Sequence, residues 1–193
     1  MGVVRQESAT EYFKPLVESA LSHQRIETGE LTSFYLVNLL CEFVSIEPAR
    51  CVAGPEPLAT RLVRALDAGG AQRRLHLRSL GDVALFVAGV FSDSLSRKVV
   101  DIDYYVSMGE YAYGSLSRAH TNWFTPVFAE LAGRFVSFVD VLGEVSERSA
   151  LTASGDLLRA YERWLRTGSP RDRQRLVERG VVPHASIGHR FLQ

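Results

Sequence analysis

The chain has 193 residues, 46% hydrophobic and 23% charged, and its 22 basic and 22 acidic residues give a formal net charge of zero. Those values are ordinary for a globular protein and argue against a disordered chain, a membrane protein or a nucleic-acid binder that works by bulk charge. Two cysteines are too few for a disulfide scaffold or a zinc site, so the expectation is a reduced, cytoplasmic, single-domain protein with no metal or cofactor.

Residues 1–17 hold no apolar run of signal-peptide length. Ser8-Ala-Thr-Glu11 is a capping-box pattern, after which Tyr12, Phe13, Leu16, Val17, Ala20 and Leu21 recur at helical spacing and predict a helix to about Gln24. Pro15 has no amide hydrogen and suits only a first helical turn, which moves the expected start towards Lys14. After Thr28-Gly29, residues 31–44 predict a second helix, apolar nearly all round, on which Tyr35, Asn38 and Glu42 share one line. Three prolines and a glycine make residues 45–57 a loop. The third helix takes Leu58 to Ala68, with Leu58, Leu62, Val63 and Leu66 inward, Arg61 and Arg64 outward, and Gly69-Gly70 as its stop.

Ser79-Leu-Gly-Asp82 then matches a helix start and leads into Val83 to Phe91, a run without a polar side chain. A helix apolar on every side belongs inside a core. Residues 83–91 are therefore the expected central helix of an all-α bundle of about seven helices, with a break or kink near Ser79 setting it off from residues 72–78. Residues 99–106 admit a strand by their β-branched and aromatic content. A helix capped at Asp101 accounts for more of the pattern. Ile102, Val106, Gly109, Tyr113 and Leu116 form one stripe, Tyr105, Met108, Ala112 and Ala119 lie beside it, and Asp103, Ser107, Glu110 and Ser117 oppose it. Gly109 costs such a helix about 1 kcal/mol unless a close crossing offsets it, and the Ala88-Gly89 surface is the expected partner.

Thr125-Pro126 opens a long helix to about Glu147, with Phe128, Leu131, Phe135, Phe138 and Leu142 as its core face. Residues 155–166 give another helix, with Leu157, Leu158, Tyr161, Trp164 and Leu165 inward and Arg159, Arg163 and Arg166 along one side. Ser169-Pro-Arg-Asp172 is a capping box for the last helix, and residues 181–193 form a tail without periodicity.

No nucleophile elbow, phosphate-cradling glycine loop, dinucleotide fingerprint or helical zinc or di-iron spacing occurs. The remaining chemistry lies in acids and tyrosines set in apolar helices, because a buried carboxylate is costly unless paired and so marks where a pocket forms. Tyr35, Asn38, Glu42, Asp82, Asp103, Tyr104, Glu110 and Tyr111 are the ligand-pocket candidates, with Glu42 and Asp82 expected to share one cavity. The competing reading makes these acids helix caps and internal ion pairs. Tyr105 and Tyr113 read as core, whereas Tyr104, Tyr111 and Arg118, at seven-residue steps, read as a surface line.

Twenty of the 22 basic residues are arginine, in blocks that alternate with acidic ones; residues 61–78 carry five arginines against one acid. Arg159, Arg163, Arg166, Arg171, Arg173, Arg175 and Arg179 are the candidate basic surface for phosphate or an acidic partner. Docking of the acidic first 60 residues against them is the internal alternative, which the charge counts favour. Three functions follow: a non-enzymatic helical interaction or regulatory module with a protein partner or a second copy, a small-molecule binder or enzyme using the carboxylate and tyrosine pocket, and nucleic-acid binding through the C-terminal arginines. The first is the expectation, with neither nucleic acid nor membrane as partner.

Overall fold

A computed structural model describes residues 9–43, 57–91, 102–119, 122–149, 160–161, 164, 167–179 and 181. Of these residues 86% are helical, in eight helices: α1 (Ala9–His23), α2 (Glu30–Phe43), α3 (Leu58–Asp67), α4 (Gly70–Val90), α5 (Ile102–Ala119), α6 (Thr125–Gly133), α7 (Phe135–Arg148) and α8 (Pro170–Glu178). The all-α bundle is as the periodicity predicts, and residues 102–106 are helix, not strand. Among the described residues no helix is long and apolar enough to cross a membrane.

The bundle is organised around α4, which packs on α3, α5 and α7 and touches α2. Its apolar C-terminal half is central, but the expected break near Ser79 is absent. The helix runs unbroken from Gly70, and from Ser79 to Val90 every residue is buried. Ser79 and Asp82 are therefore interior positions, not caps. Within the helix the Ser79 hydroxyl accepts from Arg61 Nη1 at 2.5 Å, and Asp82 Oδ1 accepts from side chains of other helices. At the core's centre Phe86 stacks on Phe43 of α2, ring centroids 4.3 Å apart, and meets Phe91 edge-on.

The first three helices depart from expectation in other ways. Helix α1 begins at Ala9 and carries Pro15 inside it; Pro15 is exposed while Phe13 and Val17 on either side are in the core, so burial of the apolar face outweighs the lost backbone bond. Helix α3 is rotated from its expected facing: Arg61 is buried, whereas Val63 and Leu66 are about half exposed. The turn of helix that meets α4 brings Arg61 to Ser79, and this hydrogen bond fixes the rotation. Helix α2 is not covered all round, since Leu31 and Phe34 stand half exposed.

The long helix expected from Thr125 is two helices, broken at Arg134, whose backbone leaves the helical region (φ −131°, ψ 30°). Its guanidinium offsets the break by donating to Glu27 O at 2.5 Å, approaching Glu130 and lying over the Phe138 ring. Glu130 in turn accepts from Thr28 and Thr32, each at 2.6 Å, which ties the α1–α2 turn to α6. The predicted core face survives the break, because Phe128, Leu131, Phe135, Phe138 and Leu142 are all buried.

Gly109 does mark a tight crossing, but not against Ala88-Gly89. A Cβ there would lie 2.1 Å from the Phe135 ring of α7. Gly89 receives Leu142 instead, also from α7, and Gly81 receives the Tyr113 ring from α5. Further along, Ser169 Oγ accepts from the Asp172 amide at 3.4 Å, which is the expected cap of α8. Tyr161 and Trp164 are buried as expected, while Leu157, Leu158 and Leu165 and the tail from 182 onward lie outside the described residues.

Candidate functional site

Of the acids singled out in the sequence, Asp82 is the one taken fully into the core. Its Oδ1 accepts from the Tyr35 hydroxyl of α2 at 2.5 Å and from the Tyr113 hydroxyl of α5 at 2.7 Å. Its Oδ2 has Arg78 Nε at 3.5 Å, one turn back on α4. Arg78 Nε also donates to the Tyr35 hydroxyl at 3.2 Å, with the guanidinium over the Tyr35 ring. The hydroxyls reach the carboxylate because Gly81 leaves room for the Tyr113 ring, which stacks on Phe128 of α6. Three helices are thus pinned at one carboxylate.

Burial pushes Asp82 above the usual carboxylate range against the pull of Arg78 and the two hydroxyls. Tyr35 and Tyr113 lie well above the ordinary tyrosine value, first through burial and then through the Asp82 charge. For Arg78, burial works against the cation, but Tyr35 and Asp82, and behind them Glu42, outweigh it and hold it above its ordinary value. Glu42 and Asp82 both favour the Arg78 cation electrostatically, and neither lines either of the two clefts described below.

The other candidates separate. Asn38 turns back to donate to Phe34 O at 2.8 Å. Asp103 and Glu110 are exposed on the outer face of α5, Tyr104 is half-buried against the core, and Tyr111 is 41% exposed. Arg171, Arg173, Arg175 and Arg179 are exposed on and just after α8, whereas Arg159, Arg163 and Arg166 lie outside the described residues. Among the described residues the acidic N-terminal helices pack α1 on α2 and α7, and α2 on α6 as well. Cys41 is half-buried and a free thiol. Among the described residues no group of three or more His, Cys, Asp or Glu is placed to hold a metal.

Two open clefts remain, of opposite character. The first, about 370 Å³ between α1 and α7, is lined by His23, Gln24, Asp140, Glu144, Glu147 and Arg148 among others. Its central acid is already engaged: Glu144 accepts from Gln24 at 2.7 Å, from His23 at 3.1 Å and from Arg148 at 2.5 Å. Burial raises its pKa, but those partners outweigh burial and hold it below the ordinary range.

The second cleft, about 430 Å³, lies between the first turns of α4 and the last turns of α5. Gly70, Arg73, Arg74, Leu77, Tyr111, Ser115, Arg118 and Ala119 line it, so among the described residues its lining holds three arginines and no carboxylate. Among the described residues no ion pair holds Arg74 or Arg118. Helix α4 opens there without a side-chain cap. Sequence reading found half of this site, in Tyr111 and Arg118 on one surface line. It missed Arg73 and Arg74, whose signal was the basic block at 61–78. Comparison with protein-family models, with curated proteins and with solved structures gives no match to this chain.

Proposed function

We propose that the protein is a non-enzymatic, regulatory helical module whose ligand is an anion held in the α4–α5 cleft. The observation that carries this reading is the pair Arg74 and Arg118, which face one cavity whose lining holds no acid among the described residues. Guanidinium forks match the oxygen geometry of phosphate and carboxylate. The binding reading is preferred to an enzymatic one because Asp82, the acid with the most perturbed surroundings, is enclosed in the core and tied to three helices. Leu31 and Phe34, half exposed one turn apart on α2, offer the helical surface on which a second copy or another protein would dock.

Calorimetric titration with inorganic phosphate at low and high salt tests the anion reading. Binding that weakens as salt rises, and that is lost in Arg74→Ala, is the expected result. No heat at either salt, or binding unaffected by Arg74→Ala, would remove it.

A further inference from the structure

We infer that Gly114 is a positioning residue of the α4–α5 cleft: it seats the Arg118 guanidinium against α5, and so holds ready one of the cations that meet the anion. This rests on the anion reading above and adds how its site is held. A glycine inside a helix costs propensity, so each one calls for a reason. Gly81, Gly89 and Gly109 have theirs in neighbouring helices, since a Cβ at those positions would strike Tyr113, Leu142 and Phe135 in turn. Gly114 is different. It is buried within α5, yet the atoms nearest to a Cβ there come from its own helix: Arg118 Nη1 at 3.2 Å, Nη2 at 3.7 Å and Cζ at 3.8 Å. All three belong to one guanidinium.

A methyl 3.2 Å from that nitrogen would be closer than ordinary contact, so the guanidinium rests where a glycine leaves it room. Long side chains on a helix lean towards its N-terminus, and the Arg118 head accordingly lies over Gly114, four residues back and about 6 Å along the axis. Its charge is thereby drawn in along α5, on the helix that brings Tyr111 and Ser115 to the same cleft, while Arg74 lines the cleft from α4. No acid fixes the head, because no ion pair holds Arg118 among the described residues. The seat takes that part. An exposed arginine loses rotamer freedom when a ligand orders it, and a guanidinium already laid against the helix loses less, so its donors meet an oxyanion at lower cost.

The test titrates inorganic phosphate by calorimetry into the full chain and into Gly114→Ala, with the thermal unfolding of each recorded beside it. Gly114→Ala is expected to bind roughly threefold more weakly or worse, the cost of ordering one side chain, while its melting temperature rises with helix propensity. A merely structural glycine would not move the two in opposite directions. In an Arg118→Lys background, which keeps the charge without the planar head, Gly114→Ala should leave affinity unchanged. A second measurement needs no ligand: the Arg118 Nε–Hε resonance of the free chain, identified by its absence in Arg118→Lys, should shift in Gly114→Ala. An unmoved resonance, unchanged affinity in Gly114→Ala, an equal loss in the lysine background or a lowered melting temperature would each overturn the seat and leave the anion reading standing. A wild-type chain that binds no phosphate would overturn the anion reading, and the role of Gly114 in binding with it.

Discussion

Arg74 and Arg78 stand one turn apart on α4, yet Arg78 is drawn against Asp82 and Tyr35 at the edge of the core while Arg74 lines an open cleft. On α5 the same division separates Tyr113, enclosed and bonded to Asp82, from Tyr111, half in solvent. What differs is the third element. Where α2 and α6 close over the α4–α5 pair, Tyr35 and Phe128 supply a hydroxyl and a stacking ring, and the polar groups become structure. Towards the start of α4 no third element covers the pair in this way, and Arg74 and Arg118 line an open cleft.

The comparison breaks first if Asp82 can be removed cheaply. Asp82→Ala leaves the Arg78 cation and two buried hydroxyls without their acceptor, and should cost about 3 to 5 kcal/mol in urea-induced unfolding. A loss under 1 kcal/mol would mean that the network does not hold the three helices together. Next in size is Gly109→Ala, where the new methyl overlaps the Phe135 ring; overpacking of about 1 to 3 kcal/mol should exceed the gain of about 1 kcal/mol in helix propensity. Net stabilisation would show that the α5–α7 crossing relaxes freely.

The buried network also sets a pH dependence. Asp82, Tyr35 and Tyr113 all have folded-state pKa values raised above their unfolded ones, so each binds its proton more tightly when folded. The Asp82 contribution is therefore full below the ordinary carboxylate range and is lost as pH rises through its raised value. The tyrosine contributions are full below about pH 10 and are lost above it. In an alkaline titration followed by tyrosinate absorbance, Tyr35 and Tyr113 should ionise only together with unfolding. Reversible ionisation of all seven tyrosines near pH 10 would contradict their enclosure. The smallest stability effect belongs to the cleft: Arg74→Ala should change unfolding free energy by no more than about 0.5 kcal/mol, because it removes no ion pair among the described residues.

The sequence disclosed what periodicity can carry. The apolar run from Val83 and the stripes of residues 102–119 are local patterns, and they set the fold class and the central helix. Tyr35 and Asp82 stood out as polar groups on apolar helices, though their meeting is a long-range event that no local spacing encodes. The break at Arg134 could not be read from Phe128 to Leu142, because the core face continues through it; what stabilises it is a bond to Glu27, over a hundred residues away. Arg61 shows the same limit, since an arginine on an amphipathic helix reads as solvent-facing until Ser79 is seen opposite it. The cleft was half legible for a similar reason: Tyr111 and Arg118 lie on one helix, while Arg73 and Arg74 arrive from another.

Amide chemical-shift mapping during a titration with inorganic phosphate tests the central claim most directly, because it reports where an anion goes without presupposing the site. The open-cleft account predicts shifts concentrated at Gly70 to Arg74 and at Tyr111 to Ala119, with little change at the engaged cleft around Glu144. Shifts centred on Arg171, Arg173, Arg175 and Arg179, or no shifts at all, would contradict it.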